Sequence, residues 1–126
     1  MVARNYRELI AWQRGNELES EVIRLVPSSK TCKDFKYQNQ IFDACGGVPS
    51  NISEGFLRRS PGEFSRFLDF ALSCVGEVET RLRHGIKRKF FTEAECAQAF
   101  QLCRRCSKAT VRLKQSQKWP EPKKKK

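Results

Sequence analysis

The sequence predicts an all-α protein, an antiparallel up-down four-helix bundle. Two observations carry this. Apolar residues recur at three- and four-residue steps through four stretches, and no stretch alternates as a half-buried strand would. The stretches open on residues that can accept hydrogen bonds from a first helical turn, and the joins between them are short, which favours antiparallel neighbours. A chain of 126 residues suits one domain. The expected division is a bundle over 1–115 and a flexible basic tail over 116–126.

The first helix is expected over residues 5–26. Asn5 and Glu8 have capping-box spacing, and Tyr6, Leu9, Ile10, Leu18, Val22 and Leu25 form one stripe before Pro27-Ser28-Ser29 ends it. The second begins near Thr31 or Cys32, with Thr31 and Asp34 as a weaker cap. Phe35, Gln38, Ile41, Phe42, Cys45, Val48 and Ile52 share its face. Gly46-Gly47 and Pro49 argue for a turn at 46–50, whereas the period runs on through Phe56. The reading adopted is one helix bent at Pro49, with the glycines admitting a close neighbour.

Ser60-Pro61-Gly62-Glu63 is the sharpest local signal: a cap, a proline at the first helical position and an acid three after the cap. Phe64, Leu68, Ala71, Val75, Val78, Leu82 and Ile86 follow, which predicts a third helix over 61–88. Phe67, Phe70 and Cys74 widen its apolar surface. That fits either self-association or a central place in a single bundle, and the pattern does not decide. Thr92 and Glu95 cap the fourth helix, which Cys96, Ala99, Phe100, Cys103, Cys106 and Val111 carry to about residue 115.

Candidate chemistry is sparse. Cys45, Cys96 and Cys103 occupy apolar stripes, where a free thiol behaves as a small hydrophobe. Cys103-Arg104-Arg105-Cys106 has C-x-x-C spacing, but zinc needs about four ligands and His84 is the only histidine. The pair also falls far from the helix N-terminus that would stabilise a thiolate. No Ser-His-Asp or Cys-His arrangement and no phosphate loop is visible. The expectation is no enzyme, no catalytic residue, no metal and no cofactor. Asn51, Glu54 and Arg58 lie on one helical face. With Arg59, Phe67 and Phe70 they form a candidate polar seam or interface, between helices or subunits. The start of the chain has no apolar signal core and no run is long enough to span a bilayer, so the cytoplasm is the expected location, away from membranes.

The formal charge of +11 is uneven. Residues 1–63 hold nine basic and eight acidic side chains; residues 64–126 hold sixteen and six. Arg81, Arg83, Lys87, Arg88 and Lys89 cluster at the end of the third helix. Arg104, Arg105, Lys108, Arg112 and Lys114 cover much of the fourth, and Lys123 to Lys126 end the chain. Such a surface suits nonspecific binding of RNA or DNA phosphates. The alternative is a protein-interaction scaffold or accessory protein with no direct nucleic-acid contact, and an acidic protein is the alternative partner for the basic surface. Phe90-Phe91 are read as closing a turn rather than stacking bases.

Several stretches carry a family resemblance. They are Tyr6-Arg7-Glu8-Leu9-Ile10-Ala11-Trp12-Gln13, Gln40, Val48-Pro49-Ser50-Asn51-Ile52-Ser53-Glu54-Gly55-Phe56, Arg58-Arg59-Ser60, Glu63-Phe64-Ser65-Arg66-Phe67-Leu68, Ala71-Leu72-Ser73-Cys74 and Glu77. With them the chain resembles the bacterial four-helix bundle proteins related to the 23S rRNA intervening-sequence protein, the S23 family. The resemblance implies a proline inside the second helix and ring-like homo-oligomers, pentamers among characterised relatives. It also implies kinship with accessory proteins of diversity-generating retroelements, which bind nucleic acid and a reverse transcriptase. It carries over no catalytic residue. Asp43 before Ala44, Gly47-Val48 before the proline, the six cysteines and the lysine run depart from the family's usual pattern.

Overall fold

In this computed structural model, which describes residues 3–118, Asn5 caps a single 3-10 turn over Tyr6–Glu8 rather than the first helix. Its side chain accepts from the Arg7 N–H at 2.9 Å. Glu8 reaches back to the Arg4 N–H, one residue short of the capping-box partner. A short polar side chain offers the backbone a local alternative to a helical turn, and here the alternative wins. Leu9 is extended and α1 runs Ile10–Ser28, so the expected start at residue 5 moves to Ile10.

The start of the second helix also moves. Asp34, not Thr31, is the cap: its carboxylate accepts from the Tyr37 N–H at 3.0 Å, and α2 runs Phe35–Leu57. The Thr31 hydroxyl instead donates to the Lys89 carbonyl at 2.9 Å, and Ser29 donates to the Phe90 carbonyl at 2.7 Å. These bonds tie the first interhelical loop to the third. α2 passes through Gly46, Gly47 and Pro49 without a break. Ser60 caps α3, Pro61–Lys87, by accepting from the Glu63 N–H. Thr92 and Glu95 make both bonds of their capping box at the start of α4. α4 runs Glu93–Lys118 and takes in Ser116, which the sequence places in the tail; residues 119–126 lie outside the described residues.

Each helix packs on two others, in the cyclic order α1, α2, α3, α4. Leu18, Val22, Ile41, Val48, Ile52, Leu68, Val75, Val78, Leu82 and Ala99 fill the centre and are fully or almost fully buried. Small residues set how closely α2 and α3 approach. A Cβ on Gly47 would lie 2.7 Å from Cys74 Sγ, and one on Gly55 would lie 2.8 Å from Phe67 Cβ. Gly46 is different: a Cβ there would meet only Glu19 Oε2, at 3.4 Å.

The end of the bundle where α3 hands over to α4 is sealed. The Gly85 carbonyl accepts from the Phe90 and Phe91 N–H groups at 2.8 and 3.4 Å. Tyr37 donates to the Arg81 carbonyl at 2.5 Å and packs edge-on against Phe90. Phe90 and Phe91 therefore close the turn, as their position suggests. Arg59 and Lys89, after α2 and α3, have φ of 59° and 68°, left-handed values that cost a side-chain-bearing residue about 1 kcal/mol.

All six cysteines are free thiols, and only Cys74 is more than slightly exposed. Burial pushes the Cys45 and Cys103 thiols up to about 12 and those of Cys96 and Cys106 up to about 11.

Two predictions test this packing. Gly85→Ala places a methyl 2.5 Å from the Phe91 ring and 2.6 Å from the Tyr37 hydroxyl oxygen. It should cost about 1–3 kcal/mol in urea unfolding, whereas Lys89→Gly should raise stability by up to about 1 kcal/mol. The second concerns pH. Unfolded thiols ionise near ~8.5, so four raised thiols favour the folded state fully below that value. Their contribution is lost as pH climbs towards 11–12. Urea midpoints should hold steady up to about pH 8 and then fall, and Cys45→Ala should flatten the fall. A midpoint independent of alkaline pH would contradict the buried-thiol account.

Candidate nucleic-acid interface

The ten basic residues singled out from the sequence fall into two environments. At the end of α3 most are engaged. Arg88 pairs with Asp34 at 2.9 Å and lies over the Phe90 ring. Arg81 pairs with Glu77 at 3.3 Å. Arg83 lies 3.9 Å from Glu93 and 4.3 Å from the centre of the Phe100 ring. Lys87 and Lys89 are exposed, with no ion pair among the described residues. Asp34 is held below its ordinary carboxylate range, first by the Tyr37 N–H and then by Arg88.

On α4 the balance differs. Lys114 turns towards α3 and pairs with Asp69 at 2.9 Å. Arg104, Arg105, Lys108 and Arg112 are exposed and make no ion pair among the described residues. At 100° per residue these four fall within roughly a quarter of the helix circumference, and they extend along about 12 Å of its axis. They form a narrow basic stripe. The α3 group lies towards the opposite end of the hairpin, beside the start of α4.

The candidate seam is also divided. Glu54 and Arg58 form an exposed i,i+4 pair at 2.9 Å, and Arg58 approaches Glu63 at 4.0 Å. Hydrogen bonding from Arg66 holds Glu63 below its ordinary range. Asn51 is half-buried instead; its amide donates to the Gly47 carbonyl at 2.8 Å and points at Cys74 Sγ, 3.8 Å away. Phe67 and Phe70 meet edge-to-face at 5.4 Å. Arg58 and Arg66 stack over Phe67, and Phe70 is 42% exposed. Arg59 leaves this group at the end of α2.

Arg59 instead lines a feature that sequence reasoning missed. An open cavity of about 1210 Å³ lies at the end of the bundle where α1 begins and α4 stops. Leu9, Ile10, Phe56, Phe64 and Leu113 line it, with Arg59 and Arg112 beside them. Its apolar positions belong to the same stripes that fill the core. No single stretch signals it, because it depends on where four helix ends fall relative to one another.

Among the described residues no group of three or more His, Cys, Asp or Glu side chains could hold a metal ion. Cys103 and Cys106 are buried in the core, and His84 is exposed near the end of α3. No described helix is long and apolar enough to cross a membrane.

No curated protein matches the chain. A family model described as 23S rRNA-intervening sequence protein matches residues 7–112. That span begins in the 3-10 turn, takes in α1 to α3 and most of α4, and ends at the last arginine of the basic stripe. With a match over most of its length and the four-helix fold its sequence predicts, the chain belongs to the 23S rRNA-intervening sequence protein family.

Proposed function

We propose that the protein is a noncatalytic, oligomeric bundle of the cytoplasm that binds RNA or DNA nonspecifically through the exposed face of α4. One observation carries this reading: Arg104, Arg105, Lys108 and Arg112 share a face and have no carboxylate partner among the described residues. An arginine already paired must give up its partner to meet a phosphate, whereas these four need not. Lys87 and Lys89 add charge at the other end, and Lys123 to Lys126 extend it along the chain. The contact is to the phosphate backbone, so no base preference is expected.

A second reading concerns self-association. Phe67 and Phe70, flanked by Arg58 and Arg66, form a partly exposed aromatic and basic patch on the outer face of α2 and α3. Phenylalanine and arginine are both enriched at protein interfaces relative to the rest of the surface. This patch is the proposed contact between subunits, with a pentamer as the assembly that the family resemblance suggests. An acidic protein partner is the remaining alternative for the α4 stripe.

Both readings are testable. Binding to a short duplex and to a structured RNA should weaken linearly in log–log salt titrations. Replacing Arg104, Arg105, Lys108 and Arg112 with glutamine should reduce the duplex slope by roughly 3.6. Absence of saturable binding at low salt, or an unchanged slope, would sink the nucleic-acid reading. Phe70→Glu should lower the molar mass measured by light scattering while leaving the helical circular dichroism intact. A mass already that of one chain at every concentration would remove the oligomer.

A further inference from the structure

We propose that the open cavity at the α1-start end of the bundle seats the chain's own C-terminal segment, with Trp119 in the apolar groove and Glu121 paired to Arg59. Four observations converge on this occupant.

The first is position. Ser116 and Gln117, in the last turn of α4, already line the groove, so Trp119 follows two residues beyond its wall. Each residue advances the chain by at most about 3.8 Å. No long linker is needed, and a short reach makes the local concentration of the segment high.

The second is direction. Pro120 has no N–H to continue the helical ladder and disfavours the helical conformation at the residue before it. That preference opposes continuation of the helix and favours a turn of the chain across the end of the bundle.

The third is chemical fit. The groove presents Leu9, Ile10, Phe56, Phe64 and Leu113 beside two guanidinium groups. Its occupant should combine a large apolar group with a carboxylate at short spacing. Trp119 is the only large apolar residue after Lys118, and Glu121 is the only acid after Glu95. A tryptophan buries roughly 150–250 Å². The carboxylate that lines the groove, on Glu8, already accepts from the Arg4 N–H and the Asn5 amide.

The fourth is Arg59 itself. It holds a left-handed backbone conformation at the rim and has no carboxylate partner among the described residues. A salt bridge to Glu121 would give that side chain a counter-charge in a setting where strain is already being held. Docking would also carry the lysine run past Arg112, at the lower end of the α4 stripe.

The test needs no nucleic acid, so it stands or falls apart from the proposed function. The chain has two tryptophans, and Trp12 packs against Tyr6 with ring centres 5.4 Å apart. In full-length Trp12→Phe the emission belongs to Trp119. Docking predicts blue-shifted emission and acrylamide quenching several-fold weaker than in urea, both independent of protein concentration. Leu113→Glu in the same background should return both to solvent-like values. Glu121→Gln, which leaves the bundle untouched, should strengthen quenching part of the way. Solvent-like emission from the folded chain overturns the proposal, whatever then fills the groove. Protection that appears only as concentration rises overturns it too, because the tail would then be docking on a second copy.

Discussion

The close approach of α2 and α3 is the constraint on which the other arrangements depend. It exists because Gly47 and Gly55 present no side chain where Cys74, Phe64 and Phe67 arrive. An α2 that broke at Gly46-Gly47 would lose the register that puts Gly55 opposite Phe67, eight residues later. Continuity through Pro49 therefore matters more than the lost backbone donor. The same register leaves Phe70 outside, because Phe64 and Leu68 already occupy the inward positions. Phe67 is caught between the two situations, half-covered by α2 and capped on its outer side by arginine.

Antiparallel geometry explains why one group of bases is paired and another is not. Helix starts favour acids and helix ends favour bases, since each complements the helix dipole. In an up-down bundle the end of α3 lies beside the starts of α2 and α4. Arg88 thus finds the capping Asp34, and Arg83 faces Glu93. Residues 104–112 lie mid-helix, beyond the reach of any capping acid. The sequence around them supplies none of its own, as no acid occurs between Glu95 and Glu121. The unpaired stripe follows from that gap as much as from the number of arginines.

Much of the fold was legible in the sequence, and the misses share a cause. The caps of α3 and α4 were readable because a capping box involves residues only three apart. Asn5 and Thr31 carried similar local signals, but their outcomes depended on more distant competitors. Thr31 found the Lys89 carbonyl 58 residues away, leaving Asp34 to cap α2. Asn5 settled into a 3-10 turn whose exit is fixed by Leu9 against the core. In the sequence, Asn51, Glu54 and Arg58 form one row on a helical face. Helical spacing alone cannot show that Asn51 turns inward towards Cys74 while Glu54 and Arg58 remain in solvent. The cavity was wholly invisible, because its walls come from all four helices.

The two ends of the bundle are unequal for the same reason. At one end, Tyr37, Phe90 and Phe91 converge on Gly85, and side-chain hydrogen bonds join the first loop to the third. Every group that closes that end comes from a loop or helix terminus already held by its neighbours. At the other end the 3-10 turn pulls the start of α1 away to Ile10, and the α2–α3 join is only Arg58, Arg59 and Ser60. A join that short can turn the chain but cannot reach across the bundle as Phe90 and Phe91 do. Arg59 adopts a positive φ to complete the turn, and its exposed side chain lines the open cavity. The asymmetry is thus built into loop lengths: a loop long enough to carry two phenylalanines seals its own end, and a three-residue join leaves its end open.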